Sequence, residues 1–352
     1  MLKRISISIF LGANLCTILF LWLCVALTYI SPEHLPRLSN LTLAFPVFLL
    51  VDILFIFFWL LFKARLAWVP IAGLLLVGAH TLDYCPLNIG KDKIIGESND
   101  SNITVLTFNV SYIPDKELQE ELISFLNITN ADIVCLQELP KTFFSDHQKW
   151  LDSTAYHYRQ SINVAILSRF PFLSDTLSIN YPTRSNRSTA CWINCYGDSL
   201  LVINNHLEST HLSPTDKDDY ANAITDPHRQ TIKNSSRMLL GKLSEAVVYR
   251  GAQTDSICSL IDRNAGHPVI VCGDHNDIPI SYTYQRLARR LASAYREAGF
   301  GPGFTFSQRF FPVRIDHIFY PKDWQCLSCQ IDKSVPFSDH YPVVARIGKK
   351  AN

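Results

Sequence analysis

The segment VIVCGDHND at positions 269–277 joins an apolar run to polar residues that could do chemistry. The apolar part is typical of a buried strand, whereas Gly, Asp and Asn are also ordinary residues of a solvated turn. Side chains alternate between the two faces of a strand, so Asp274 and Asn276 point to the same side. A carboxylate and an amide placed together can orient or deprotonate a water molecule. We expect both at a functional site, and we expect Asp277 to organise the loop that follows.

Five other apolar segments also end in a carboxylate, a carboxamide or an imidazole. These residues are Asn109 in TFNV, Glu138 in LQE, His206 in NNHL, Asp316 in RID, and the pair Asp339 and His340 in SDHYP. One strand with a polar end is ordinary, but six are not. Strand ends converge on one edge of a sheet, where ligand sites are commonly built. The pattern therefore predicts that the six ends form a single site.

The elements that would position these residues lie within residues 103–348. Short apolar runs predict strands at 103–110, 131–138, 163–168, 199–207, 267–273, 313–320 and 341–347. A helix is predicted after the first strand, because Leu118, Leu122 and the pair Phe125 and Leu126 recur at helical spacing. Strands mixed with helices in this way indicate an α/β domain. The polar, turn-rich residues 85–102 that precede it indicate a linker.

Residues 1–84 carry nearly all of the excess hydrophobicity and predict a membrane region with three spans. Residues 5–30 contain no charge and residues 41–62 contain a single acid, and each exceeds the roughly 20 residues that cross a bilayer. A shorter third span is predicted at 66–82. A cleaved signal peptide fits the first segment less well, because its apolar part usually runs for about 7–15 residues.

Basic residues beside the predicted spans set their orientation. Those on one side are Lys3, Arg4, Lys63 and Arg65, whereas the loop at 31–40 carries only Arg37. The positive-inside rule then places the N-terminus in the cytoplasm, and three spans place the α/β domain outside it. With only two spans, the α/β domain would instead lie in the cytoplasm. Within the second span we expect Asp52 to stay protonated and to bond a neighbouring helix near Asn14.

The overall charge does not indicate nucleic acid as a partner, since 32 basic and 31 acidic residues leave a net charge of +1. The long segment after His206 mixes both signs without a basic stripe interleaved with aromatics, which favours a solvated helical face.

Of the ten cysteines, Cys135 and Cys272 are expected to be buried thiols. The pair Cys191 and Cys195 and the CxxC at 326–329 lie in strand-like sequence, which disfavours zinc; a disulfide in an oxidising compartment stays open.

Residues 103–348 resemble the endonuclease/exonuclease/phosphatase superfamily, which includes DNase I-like nucleases, abasic-site endonucleases, inositol polyphosphate phosphatases and neutral sphingomyelinases. The motifs TFNV, LQE, NNHL, GDHND, RIDHIF and SDHYPV occur in the order of that family across nearly the whole segment. The resemblance implies a DNase I-like, four-layer αββα sandwich in which two mixed sheets lie face to face with helices outside. It departs from some nucleases at Ser111, where they carry an acidic metal ligand, so a second metal there is in doubt.

The resemblance also implies a hydrolase that uses Mg²⁺ or Mn²⁺, a hard cation that prefers oxygen ligands. Glu138 is then the principal ligand, with Asn109 beside it and Asp339 as a further one. Asp274 would orient or deprotonate the attacking water, and Asn276 would hold phosphate or water as a neutral donor.

Two histidines are implied as donors to the phosphoryl oxygens or the leaving oxygen, namely His206 and His340. By resemblance His340 pairs with Asp316, which would raise its pKa and set its tautomer. Strand alternation instead turns His275 and His317 away from the site, so we expect them to be core residues.

These observations predict a membrane-anchored, divalent-metal-dependent phosphoesterase that hydrolyses a phosphodiester or a phosphomonoester. Anchoring at a bilayer favours a lipid head group as substrate. One alternative is an extracytoplasmic nuclease that acts on DNA or RNA, and another is a non-catalytic module that binds a phosphorylated ligand. No obligate protein partner is evident from the sequence.

Overall fold

Two six-stranded mixed sheets run through this computed structural model, which describes residues 2–89, 102–184, 186–211, 229–307 and 312–350. The strands are β1 (Ile103–Asn109), β2 (Ile133–Gln137), β3 (His157–Ser161), β4 (Val164–Ser168), β5 (Leu177–Ser178), β6 (Thr189–Cys195), β7 (Asp198–His206), β8 (Val269–Asp274), β9 (Ala292–Ser293), β10 (Asp316–Tyr320), β11 (Trp324–Ile331) and β12 (Val343–Lys349). The first sheet has the order β11-β12-β1-β2-β4-β3, and the second sheet has the order β5-β6-β7-β8-β10-β9.

Helices flank the sheets and make up most of the N-terminal region. They are α1 (Leu2–Leu27), α2 (Pro36–Ser39), α3 (Phe45–Lys63), α4 (Trp68–Leu76), α5 (Gly78–Tyr84), α6 (Lys116–Thr129), α7 (Phe143–Asp146), α8 (Gln148–Asp152), α9 (Arg229–Arg263), α10 (Tyr282–Ala288) and α11 (Ala294–Ala298), with 3₁₀ turns at Asn40–Ala44 and Ala64–Leu66. Helix α6 shows the predicted spacing, since it buries Leu122, Ile123 and Leu126. It ends where Asn130 adopts a left-handed conformation with φ 52°.

The two sheets lie face to face because each has one largely apolar face. Val105 and Ile133 of the first sheet share a core with Val202 and Ile270 of the second. The outer face of the first sheet packs on α6, where Leu122 belongs to a second apolar cluster. The predicted α/β, four-layer αββα architecture is therefore confirmed.

Three strands that sequence patterns did not predict, β3, β5 and β9, have weak apolar signals. Strand β3, with the sequence HYRQS, has no buried residue, and β5 and β9 each contain two residues. Most of the predicted linker, residues 90–101, and residues 212–228 of the segment after His206 lie outside the described residues. All ten cysteines are free thiols, and Cys135 and Cys272 are fully buried as expected.

The chain divides into two compact units. One comprises Cys85–Thr210, Ala252–Ile278 and Arg286–Asn352, and the other comprises Met1–Tyr84, His211–Gly251 and Pro279–Gln285. In the second of these, the Asn40 amide donates to Ser244 Oγ over 2.9 Å, and the Gln285 amide donates to Asp83 Oδ2 over 2.8 Å. The N-terminal helices therefore form one body with two short pieces of the later chain.

Two N-terminal helical segments are long and apolar enough to cross a membrane, Ile5–Leu27 and Pro36–Leu66. Most of their apolar side chains are exposed, unlike those of core helices in globular proteins. Asn14 Nδ2 donates to Asp52 Oδ1 over 2.9 Å, and Trp59 Nε1 donates to Asn14 Oδ1 over 3.1 Å. All three residues are buried, so the predicted bond between Asp52 and a neighbouring helix is present.

The third predicted span consists of two shorter helices, α4 and α5, which meet at Val77. The nine residues of α4 extend over about 14 Å, roughly half the thickness of a bilayer core. A Cβ on Gly73 of α4 would lie 2.7 Å from Ile18 in the middle of α1, so the two helices pack closely. The Tyr84 ring lies 6.2 Å from the Phe45 ring at the start of α3. Together the two short helices therefore run back along the whole length of α3.

Candidate active site

Parallel pairing of β1 with β2 brings the first two site residues together. Asn109, the last residue of β1, lies opposite Gln137, the last residue of β2. Glu138 follows directly and has a positive φ of 58°. This conformation is uncommon for residues other than glycine and occurs often at functional sites. The positive φ at Glu138 ends β2. The Glu138 side chain is 27% exposed and lies next to buried Asn109.

The second sheet supplies three site residues through the register of β7, β8 and β10. His206 lies opposite Asp274 in the parallel pair of β7 and β8, and Asp274 lies opposite Asp316 in the antiparallel pair of β8 and β10. Adjacent residues on neighbouring strands project from the same face. The three side chains therefore share one edge of the sheet, as the strand ends predicted.

Asparagine amides link the carboxylates of the two sheets. Asn109 Nδ2 donates to Asp274 Oδ2 over 3.0 Å and to Glu138 Oε1 over 3.2 Å. Asn276 donates to Asp274 through its backbone N–H over 2.8 Å and through Nδ2 over 3.2 Å. A positive φ of 50° at Asn276 folds it back onto Asp274. Both asparagines thus hold the Asp274 carboxylate in a fixed orientation.

An ion pair lies behind Asp274. His340 Nδ1 donates to Asp316 Oδ2 over 2.9 Å, and His340 Nε2 lies 3.8 Å from Asp274 Oδ2. Burial alone would lower the pKa of His340, but the carboxylates of Asp316 and Asp274 outweigh it and raise the pKa to about 10. His340 is therefore a cation at neutral pH, with Nε2 turned towards Asp274.

The other histidine of the site behaves differently. His206 Nε2 lies 3.5 Å from Glu138 Oε1 and 3.9 Å from Asp274 Oδ2, beyond hydrogen-bonding distance. Burial lowers the pKa of His206 despite the nearby Asp274 carboxylate. Its Nδ1 is buried and has no hydrogen-bond partner among the described residues. His206 is thus a neutral imidazole, whereas sequence reasoning left its charge open.

Two carboxylates of the site, Asp274 and Glu138, resist ionisation. Burial raises the pKa of Asp274 to about 6, and burial also raises the pKa of Glu138 against the effect of the Asn109 amide. The charges of Asp339 and Asp316 add to the shift at Glu138. Asp339 also raises the pKa of His340, which places its carboxylate near both groups. A bound cation would relieve this crowding of negative charge.

Two residues that sequence reasoning missed organise the site. Ser338 Oγ donates to the backbone oxygen of Asn109 over 2.8 Å and accepts from the His340 N–H over 3.0 Å. Thr305 Oγ1 accepts from the Asp316 N–H over 3.1 Å. A serine hydroxyl commonly accepts a hydrogen bond from the backbone N–H two residues later, so the role of Ser338 was within reach of the sequence. No local signal pointed to Thr305.

The neighbouring polar residues take structural roles, as expected from strand alternation. The His275 ring accepts a hydrogen bond from Asn205 and bonds to the Gly273 carbonyl, and His317 Nε2 donates to the Asp277 carbonyl. Both rings are buried, with burial lowering the pKa of each. Asp277 Oδ1 accepts from the Ile278 N–H over 3.1 Å, which fixes the following loop.

The site offers a donor set for a metal ion. Carboxylate oxygens of Glu138, Asp274 and Asp339 with the Asn109 amide are the hard donors that Mg²⁺ and Mn²⁺ prefer. Ligand atoms of Asp274, Asp316 and His340 also lie within 4.8 Å of one another. The His340 imidazole of that second group is already bonded to Asp316. The residues around Glu138 therefore fit a metal ion better.

Comparisons with known proteins agree with this geometry. Residues 106–243 and 259–340 match the profile of the Endonuclease/Exonuclease/phosphatase family, more than half of the chain. Residues 7–83 match a domain of unknown function, DUF8431. No curated protein matches the chain.

Solved structures share the fold at low sequence identity. The human Nocturnin catalytic domain with bound sulfate is 19% identical, with a TM-score of 0.52 over 71% of this chain and 95% of that one. An endonuclease/exonuclease/phosphatase family protein from Bacteroides thetaiotaomicron is 14% identical, with a TM-score of 0.51 over 71% of this chain and 99% of that one. Both likenesses bear on the fold alone.

Proposed function

We propose, from the premise that this chain belongs to the Endonuclease/Exonuclease/phosphatase family, that it is a membrane-anchored, divalent-metal-dependent phosphoesterase. The observation that carries the proposal is the Asp274 carboxylate. Two asparagines hold it, and the His340 cation, itself paired with Asp316, lies beside it. This arrangement suits removal of a proton from water next to an anionic phosphoryl group.

Glu138, Asn109 and Asp339 are the proposed metal ligands, since Glu138 and Asp339 are partly exposed carboxylates of the site and Asn109 lies beside Glu138. A metal bound there would polarise the phosphoryl oxygen and neutralise charge that builds up in the transition state. Asp274 acts as the base that orients and deprotonates the attacking water. Its raised pKa, about 6, is well matched to accepting a proton near neutral pH.

The remaining residues serve the phosphoryl group. The His340 cation stabilises the developing negative charge, and Asp316 keeps His340 protonated with Nε2 directed at the site. His206, a neutral imidazole, donates a hydrogen bond to the phosphoryl or leaving oxygen. Asn276 donates to the phosphate or to the attacking water from its amide, which already points at Asp274.

The N-terminal helices support anchoring with the catalytic region outside the cytoplasm. We retain residues 1–84 as the membrane region, 85–102 as the linker and 103–348 as the catalytic domain. The run of α4 and α5 back along α3 favours a third crossing despite the break at Val77. With three crossings, the basic residues beside α1 and α3 leave the N-terminus cytoplasmic and the catalytic domain on the opposite side.

The substrate is a phosphate ester, and anchoring favours one that is part of a lipid head group. The alternative substrate, DNA or RNA, needs no change in the chemistry of the site. A non-catalytic binding module is disfavoured, because no residue proposed to bind the metal, activate water or donate to phosphate is missing from the chain.

The test is hydrolysis by the full-length protein in detergent, with Mg²⁺, with Mn²⁺ and with a chelator. The substrates are duplex and single-stranded DNA, RNA, vesicles of sphingomyelin or phosphoinositide, and a generic aryl phosphodiester. We expect metal-dependent turnover that falls about 10²–10⁴-fold in Asp274→Asn, the usual contribution of a general base. In Glu138→Gln we expect metal affinity to fall by at least the roughly 10–100-fold that loss of an outer-shell partner costs.

A matched control is Asp175→Asn, since the Asp175 side chain is 95% exposed. Full activity in this control together with loss in Asp274→Asn assigns the base, and the preferred substrate decides between lipid and nucleic acid. Turnover that survives in Asp274→Asn contradicts the mechanism. Tight binding without turnover of any substrate favours the non-catalytic module.

A further inference from the structure

The described residues 183, 184, 186 and 187, here named the rim loop, lie beside His206, and no step above uses them. The ladder between β6 and β7 pairs Thr189 with Asn204, and the same register places Arg187 opposite His206. The His206 N–H donates to the Arg187 carbonyl over 3.1 Å, so the pairing continues past the end of β6. Side chains directly opposite in an antiparallel ladder share a face and lie about 4.5–5.5 Å apart at Cβ. Arg187 therefore projects from the same face as His206.

The rim loop is held in place by buried polar groups. Glu208, only 1% exposed, accepts from Thr183 Oγ1 and from the Arg184 N–H, each over 3.0 Å. The Asn186 amide donates to the Leu207 carbonyl over 2.7 Å. A loop fixed in this way loses little conformational freedom when a ligand binds, which favours affinity.

Arg187 is exposed, whereas His206 and Asp274 are 3% and 1% exposed at the floor of the site. An exposed residue opposite His206 lies at the edge of the site, where it could meet the part of a substrate beyond the reacting phosphate. Arg187 carries a permanent charge next to a site rich in carboxylates, and its planar donors fit two phosphate oxygens at once.

We propose that Arg187 binds a second anionic group of the substrate, adjacent to the phosphate that is hydrolysed. The inference rests on the proposed function and narrows its substrate class. It favours phosphate esters with a second phosphate, carried either by a polynucleotide or by a phosphorylated lipid head group. It disfavours a cationic choline head group, because Arg187 would repel it.

The experiment measures equilibrium binding of product-like probes to full-length protein in detergent with Mn²⁺. One pair of probes is a nucleoside bisphosphate and the matching nucleoside monophosphate, and the other is an inositol bisphosphate and inositol monophosphate. We expect the wild-type protein to prefer the bisphosphate in at least one pair. In Arg187→Gln that preference should fall about 10–100-fold, as for loss of a charge-assisted hydrogen bond. The pair that shows the preference identifies the source of the second phosphate.

Arg263→Gln is the control, since Arg263 is an exposed arginine at the end of α9 and should leave the preference intact. Arg187→Lys should restore part of it, because the charge remains and the planar pair of donors is lost. Equal preference in Arg187→Gln and wild type overturns the proposal, and so does a wild-type protein with no preference in either pair. Hydrolysis of the generic phosphodiester by the same preparations reports on the proposed function separately, so each can fail alone.

Discussion

Each polar residue of the site is defined by its neighbours more than by its type. The two histidines have the same ordinary pKa, yet His340 lies between two carboxylates and is raised to about 10, while burial lowers the pKa of His206. Asp274 and Asp316 also lie in different surroundings, because Asp274 accepts from amide donors and Asp316 accepts from the His340 imidazolium. Groups whose environments drive their pKa values apart are the usual sign of a divided acid and base role.

This separation predicts the pH dependence of hydrolysis. Asp274 must be deprotonated to accept a proton, so kcat/KM should rise as the pH passes about 6. His340 must keep its proton, so kcat/KM should fall only as the pH approaches about 10. In Asp316→Asn the pKa of His340 loses its main support, and the alkaline fall should move about 1–3 pH units lower. Initial rates in buffers from pH 5 to about 10.5 would measure both limbs.

The exposed Asp175→Asn variant serves as the control for charge removal and should keep both limbs in place. Because Asp274 and His340 are close enough for their titrations to couple, the pH–rate profile reports apparent pKa values that belong to the pair. If kcat/KM falls at the same alkaline pH in Asp316→Asn as in the wild type, the Asp316–His340 pair does not set that fall.

Among the elements, β7 and β8 position the most residues of the site, and their close approach depends on one glycine. Gly273 has φ 132°, and a Cβ at this position would lie 2.0 Å from the Asn205 carbonyl oxygen. The residue sits one before Asp274, opposite Asn205 in the parallel ladder. Any side chain here would push β8 away from β7 and carry Asp274 away from His206.

We therefore expect Gly273→Ala to destabilise the protein and to lower activity together. The clash and the strained backbone should reduce the free energy of unfolding by more than about 2 kcal/mol. At roughly 2–4 °C per kcal/mol for a domain of this size, the loss is visible in thermal unfolding of the full-length protein. Gly241→Ala in α9 is the control, because its Cβ meets no atom within 4 Å and alanine favours helix. A melting temperature as high as wild type in Gly273→Ala would refute the close packing.

At the scale of the whole molecule, a phosphoesterase fold is joined to a small helical region rich in exposed apolar residues. Gly73 packed on Ile18 and the Tyr84 ring beside Phe45 make α4 and α5 a return path along α3. In the proposed membrane-anchored protein, this return path would decide the side of the membrane on which the catalytic domain lies. Two crossings would leave the N-terminus and the catalytic domain on one side, and three crossings separate them.

The expected outcome is three crossings, with the catalytic domain outside the cytoplasm. A reporter enzyme active only outside the cytoplasm should be active when fused after Lys350 and inactive when fused after Ala67. A reporter that fluoresces only in the cytoplasm should give the opposite pattern. Deleting residues 68–84 should reverse the result for the C-terminal fusion, whereas identical results at the two fusion points in the intact chain would contradict a third crossing.

The sequence by itself determined the features that depend on local pattern. Alternation and apolar runs predicted the strands that carry Asn109, Glu138, His206, Asp274 and Asp316, and the motif order implied the sandwich that the structure has. The partner of Asp52 was also predictable, because a lone acid in an apolar helix needs a polar neighbour and few were available.

Only the tertiary structure decided features that depend on distances between remote segments. The neutral state of His206 and the support from Thr305 arise where strands far apart in sequence meet. The break of the third apolar segment at Val77 and its return along α3 likewise follow from packing against α1 and α3. Pattern reports which face a side chain occupies, whereas charge state and coupling depend on what lies within a few ångströms of it, and that is set by the fold.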